Sequence, residues 1–329
     1  MESRWRGRRH CYNPGVAKEV NASVTRSGWI APEVGPDTLK TRPWGGRRLA
    51  ALRGATFDPA APIGESWEFS TLEGSESRAR GGSLLDLLGA PLPFLVKLID
   101  TESRLSIQLH PADGDRPDPS GAPTGLPGKE EAWIVLDAAP GARVRAGLAN
   151  GIGGDEFERR LRAAQADPQE AGAALVDALR AIPVRRGSII LVPPRTVHAI
   201  EGGLLVAEIQ QPTDCTFRLF DYGSERELHV DEGLRVYDSS AQARCWQPED
   251  AAAGVQLEGD HLRLRPVRGP GPLPASRLGA PRLVVQVEGR SIASDGLPPL
   301  SPGDLRLDLE GDAALTLGND ALVVIGTID

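Results

Sequence analysis

Apolar runs in this chain are short, and glycine or proline stops them again and again. Phe94-Leu-Val-Lys-Leu-Ile99, Ser188-Ile-Ile-Leu-Val192 and Leu204-Leu-Val-Ala-Glu-Ile209 each have the length of a strand, and Pro93, Pro193-Pro194 and Gly202-Gly203 bound them. With 38 glycines and 28 prolines in 329 residues, a helical bundle is a poor solution. The pattern instead reads as mainly β, with many short antiparallel strands joined by turns. Helical spacing intrudes in one place, about 155–181, where Phe157, Leu161 and Ala164, then Leu175 and Leu179, recur on one face. We read two helices there, parted at Asp167-Pro168 and inserted into a β domain that spans 38–238. Beyond Tyr237, strand candidates such as Arg282-Leu-Val-Val-Gln-Val and Ala321-Leu-Val-Val-Ile predict a second, smaller β-sandwich over 239–329. Residues 1–37 read as a disordered tail. Its start is rich in arginine, but no apolar core follows to make a secretory signal.

Charge and cysteine usage exclude several classes. A formal net charge of -8 argues against a nucleic-acid or anionic-membrane partner. No apolar run approaches the roughly 20 residues that cross a bilayer. Cys11, Cys215 and Cys245 are far apart and odd in number, so they form neither a disulfide framework nor a Cys-x-x-Cys site. A cytoplasmic setting is the simplest fit, with a small molecule as the expected partner and a monomer or homodimer as the expected state.

The stretch Leu105-Ser-Ile-Gln-Leu-His-Pro111 carries the most chemical information. On a strand, Ser106, Gln108 and His110 share one face and Leu105, Ile107 and Leu109 the other. The aliphatic face supplies the core, so the polar face is free for solvent, a buried network or a ligand. Glu131, on the strand Lys129-Glu-Glu-Ala-Trp-Ile-Val-Leu136, and His198, between Pro193-Pro194 and Gly202-Gly203, add a carboxylate and a second imidazole. The spacing around His198 predicts a β-hairpin with this histidine at its mouth. Gln108, His110, Glu131 and His198 together suit a borderline divalent ion, zinc first, with a position left for water or substrate. Taken singly, Lys97, Ser106 and Lys129 read as ordinary solvated groups. Asp214 and Arg218, four apart on one strand face, read as a surface ion pair contributing about 0–1 kcal/mol. If they converge on the metal, they make a site for an anionic, oxygen-rich ligand such as a sugar phosphate.

Phe94-Leu-Val-Lys97, Leu105-Ser-Ile-Gln108-Leu-His110-Pro, Lys129-Glu-Glu131-Ala-Trp, Val192-Pro-Pro-Arg-Thr-Val-His198-Ala-Ile and Asp214-Cys-Thr-Phe-Arg218, in that order, resemble type I mannose-6-phosphate isomerases of the cupin superfamily, in their short bacterial form. Trp44-Gly-Gly46 and Gly64-Glu-Ser-Trp-Glu68 match the usual opening. The resemblance runs from about Arg42 to Tyr237. It implies a cupin, or jelly-roll, β-barrel and one zinc ion on Gln108, His110, Glu131 and His198. It also implies interconversion of mannose 6-phosphate and fructose 6-phosphate through a cis-enediol. Arg218 matches the catalytic arginine, Lys129 and Asp214 match proton-transfer positions, and Ser106 and Lys97 match the phosphate side. Two departures stand out: Arg195 replaces the usual glycine before the second histidine, and the loop Ala112–Gly128 is rich in proline. The competing readings are a sugar-phosphate-binding module without turnover and a cupin isomerase of another phosphosugar.

Overall fold

The computed structural model describes residues 28–35, 37–53, 62–115, 126–250, 256–275, 281–293 and 296–328. Four antiparallel sheets stack face to face, in the order five, seven, six and three strands. The seven-stranded sheet runs Arg244–Trp246, Ile189–Val192, Glu131–Ala138, Leu204–Gln210, Leu95–Thr101, Leu39–Gly46, Ile63–Phe69. The five-stranded sheet runs Leu179–Pro183, Arg143–Leu148, His198–Ile200, Ile107–Leu109, Phe217–Phe220. Between them lies one core, in which Trp133, Val135 and Val206 of the first sheet meet Val144, Ala146 and Ile200 of the second. This is the cupin double sheet, although no sheet closes on itself among the described residues.

The seven-stranded sheet is buried on both faces. Its alternate residues Val96, Leu98, Ile134 and Ala207 pack on Leu264, Val285, Leu305 and Val324 of the six-stranded sheet. Each valine, leucine or isoleucine removed from water here stabilises the fold by about 1.5–3 kcal/mol. The six- and three-stranded sheets make the C-terminal sandwich, with Val284 and Val323 facing Leu315 and Leu317. Two helices, Gly154–Ala166 and Pro168–Val176, cover the outer face of the five-stranded sheet. Asp167 caps the second helix by accepting from Gln169 N and Glu170 N, and Pro168 occupies its first turn.

Three expectations need correction. Leu179 is not helical; the helix stops at Val176, and Leu179 opens a strand that pairs with Leu148. The region expected to be a tail is ordered at its end. Trp29–Ile30 pairs with Leu307 and Asp308 of the six-stranded sheet, and both side chains are buried. Two such large apolar groups leave water at a sheet edge, and the Trp29 indole donates to Ala314 O; residues 1–27 lie outside the described residues. His198 does not sit on a hairpin. His198–Ile200 pairs within the five-stranded sheet and Leu204–Gln210 within the seven-stranded one. Gly202-Gly203 is a corner that carries the chain from one sheet to the other, with Gly203 at φ 85°. That crossing is what sets His198 opposite Glu131.

Candidate metal centre

The pleat aims the site residues into the gap between the two cupin sheets. Ile107 and Leu109 face the helices, so Gln108 faces inward. His198 pairs with Gln108 on one side and Arg218 pairs with it on the other. His198, Gln108 and Arg218 therefore form one inward row. From the opposite sheet, Ala132 and Ile134 face the C-terminal sandwich, which turns Glu131 and Trp133 inward. Glu208 pairs with both Trp133 and Lys97, and these residues form the second row.

Where the rows meet, His110, Glu131 and His198 converge. One donor atom from each lies within 4.8 Å of the others, and all three side chains are buried. His110 Nε2 is 3.2 Å from Glu131 Oε2, and His198 Nε2 is 3.3 Å from Glu131 Oε1. Each imidazole is locked from behind. His110 Nδ1 donates to Cys215 O and His198 Nδ1 to Thr196 O, both at 2.9 Å. A carbonyl can only accept, so each Nδ1 carries the proton and each Nε2 lone pair points at the carboxylate. Burial, and for His110 also the Lys129 charge, holds both imidazoles neutral; that of His198 falls to about 3, against the pull of Glu131. Burial alone would raise Glu131, but the Lys129 ammonium holds it well below the usual carboxylate range. Glu131 Oε1 is buried without a hydrogen-bond partner. Two neutral imidazoles with free Nε2 atoms and a carboxylate with an orphaned oxygen fit a zinc ion.

The Gln108 amide lies beside this group, with its nitrogen 3.4 Å from His198 Nε2 and its oxygen accepting from Ser106 Oγ at 3.1 Å. A half-turn of the amide exchanges the two atoms: the oxygen then faces the cluster and Ser106 accepts from the NH2. Lys129 Nζ donates to Glu131 Oε2 at 2.6 Å and lies 3.2 Å from His110 Nε2. It also lies 3.7 Å from Glu208, which in turn is 3.9 Å from Lys97. Lys97 donates to Asp214 at 2.7 Å and stands 4.5 Å over the Trp67 ring. Asp214 is half exposed. The result is a chain of alternating acidic and basic groups, from Asp214 at the mouth through Lys97, Glu208 and Lys129 to Glu131. Burial would discharge both lysines, but their carboxylate partners outweigh it and raise both above the ordinary value. Lys97 and Lys129 are thus neither solvated nor snorkelling. Asp214 pairs with Lys97 rather than with Arg218, which donates instead to Glu227 O.

Glu208 escaped the sequence reading. Burial, and then Glu131, raise it to about 7, against the pull of the two lysines. It was legible in principle, being the one acid in an aliphatic strand, the same signal that marks Lys97. His229 supports Arg218: its Nδ1 accepts from Arg218 N at 3.3 Å. His261 pairs with Asp113 at 3.1 Å. Arg195, at φ 65°, donates twice to Asp115 and bonds through its amide to His110 O.

Known proteins with this pattern point one way. Over 295 residues the chain is 28% identical to the mannose-6-phosphate isomerase ManA of Bacillus subtilis, covering 81% of this chain and 89% of that protein. The probable mannose-6-phosphate isomerase GmuF of the same organism is 30% identical over 220 residues, 60% of this chain and 65% of GmuF, just under two thirds of its length. In sequence and fold the chain resembles the mannose-6-phosphate isomerases. Among solved structures, the mannose 6-phosphate isomerase of Bacillus subtilis superposes with a TM-score of 0.71 at 22% identity, covering 92% of this chain and 100% of its own. A putative mannosephosphate isomerase from Archaeoglobus fulgidus gives 0.69 at 20%, covering 94% and 99%. A mannose 6-phosphate isomerase bound with zinc and yttrium gives 0.63 at 14%, covering 92% and 100%. No family model matches. Among the described residues, no helix is long and apolar enough to cross a membrane.

Proposed function

We propose that the protein is a zinc-dependent aldose–ketose isomerase interconverting mannose 6-phosphate and fructose 6-phosphate. The observation that carries the reading is the convergence of His110, Glu131 and His198 beside a buried relay of charges that ends at Asp214, in a chain that resembles enzymes of that name. Gln108, His110, Glu131 and His198 would hold the zinc. Bound there, it would polarise the substrate's hydroxyl and carbonyl oxygens.

The remaining steps belong to the chain's own residues. Isomerisation through a cis-enediol moves one proton between C1 and C2 and another between O1 and O2. Asp214 is held ionised, since Lys97 and Lys129 outweigh the burial that would raise it. It is the acceptor for the carbon-bound proton. Lys129, held as an ammonium by Glu131 and Glu208, is a donor towards oxygen. Arg218 sits one strand from Gln108, and its buried Nε lacks a partner. It offers a cation to the negative charge that builds on the sugar oxygens. Lys97 is the cation for the phosphate side. Ser106, bonded to Gln108, acts by fixing the amide.

Purified protein should convert mannose 6-phosphate to fructose 6-phosphate, lose that turnover on stripping with EDTA, and recover it with zinc. Hexose phosphate binding without turnover in the zinc-loaded protein would reject the enzyme and favour a binding module.

A further inference from the structure

The C-terminal sandwich supplies no member of the His110, Glu131, His198 group, yet one of its loops grips the strand that carries Glu131. Glu130 lies between Lys129 and Glu131, and the pleat turns it the opposite way, away from the site. Its carboxylate is buried, 1% exposed. A buried carboxylate needs donors, and it finds three backbone N–H groups of the C-terminal sandwich. They are Asp260 N at 2.8 Å, His261 N at 3.1 Å and Leu262 N at 2.7 Å. Gly259 completes the cradle, because a Cβ there would land on Glu130 Oε1. The peptide groups of Glu130 are held as well. Its N–H donates to Gln211 Oε1 at 2.8 Å, and its carbonyl accepts from Gln211 N at 3.0 Å. Gln211 in turn donates to Asp113, which pairs with His261 of the same C-terminal loop.

We propose that Glu130 is a positioning residue, through which the C-terminal sandwich fixes Lys129 and Glu131 in the site. Its position at the strand entrance gives it this leverage. The strand starts at Glu131, so sheet pairing holds the chain on only one side of residue 130. Three charge-assisted bonds hold it on the other. Any shift of Glu130 carries its two neighbours with it, and with them the carboxylate that both imidazoles face. The inference rests on the metal-site reading above.

The test is zinc affinity by chelator competition, with thermal unfolding alongside. The variants are Glu130→Ala, Glu130→Gln and Gly259→Ala, with Leu305→Ala as a control that loosens the six-stranded sheet without touching the cradle. Gly259→Ala attacks the cradle from the C-terminal side and leaves Glu130 in place. Glu130→Ala and Gly259→Ala should each weaken zinc binding roughly tenfold or more, and Glu130→Gln by less. The Glu130→Ala, Gly259→Ala double variant should be no weaker than the worse single. Leu305→Ala should lower the melting temperature with zinc affinity unchanged. Wild-type affinity in Glu130→Ala and Gly259→Ala, with only the melting temperature lowered, would overturn the proposal. Absence of zinc binding by the wild type would remove the metal site itself, a failure seen before any variant is made.

Discussion

The Lys129–Glu131 pair can be tested in the metal-free protein by replacing its members singly and together. The two groups are 2.6 Å apart and all but fully buried, 3% and 0% exposed. Glu131→Gln leaves a buried ammonium whose nearest carboxylate is Glu208 at 3.7 Å. Lys129→Met leaves a buried carboxylate facing two neutral imidazoles. Removing one member of a buried pair costs about 3–5 kcal/mol, because the survivor stays uncompensated. Glu208 gives the stranded lysine some relief, which puts Glu131→Gln near the lower end, about 3 kcal/mol, and leaves Lys129→Met higher in that range. The double variant buries no charge at this point, and its loss should be about 1 kcal/mol or less. The shortfall from the sum of the singles is the coupling between the sites. The assay is urea unfolding of EDTA-treated protein for all four forms, with zinc uptake measured separately; Glu131→Gln and the double variant should both lose zinc. Additive losses, with the double variant near the sum of the singles, would refute the argument and mean that the pair is not formed in the metal-free chain.

Three further outcomes follow from the same geometry. Arg218→Met should lower kcat by about 10²–10³ with zinc content unchanged, measured by metal analysis beside steady-state kinetics. Glu208 is neutral up to about pH 7 in the fold against a usual 4.5, so its contribution to stability is complete below pH 4.5 and is lost as pH rises to about 7. Metal-free Glu208→Gln should lack that loss, up to about 1.4 kcal/mol per pH unit inside the window, as read from denaturation midpoints across it. Arg195 pays for its left-handed φ of 65° with a twofold hydrogen bond to Asp115. Arg195→Gly should therefore be more stable than Arg195→Ala, which keeps the strain and loses the bond, by about 1 kcal/mol in thermal unfolding.

The alternating pattern around Gln108 and His110 was legible because a half-buried strand must show it: Ile107 and Leu109 do pack under the helices, leaving Gln108 inward. The insertion near Asp167-Pro168 was legible for a similar reason, since the Asp cap and the proline encode a helix start locally. What the sequence could not display was which strand lies opposite which. Gly202-Gly203 reads equally well as a hairpin turn or as a corner between sheets, and only the pairing of Leu204–Gln210 with Leu95–Thr101 and Glu131–Ala138, not with His198–Ile200, decides between them. The same limit hid the partners of the charged residues. Asp214 and Arg218 look like a pair at four-residue spacing, yet Lys97, 117 positions away, takes the carboxylate. Trp29–Ile30 was missed because a two-residue edge strand has no period to detect.

The central claim is that four oxygen and nitrogen donors of the cupin sheets hold the metal. X-ray absorption at the zinc edge, on protein loaded with one zinc per chain, tests this most directly. The account predicts a shell of nitrogen and oxygen at about 2.0–2.2 Å with imidazole scattering and no sulfur, and loss of that signature in His110→Ala. A sulfur neighbour at about 2.3 Å, which would bring in Cys215 or Cys245, or an unchanged spectrum in His110→Ala, would contradict it.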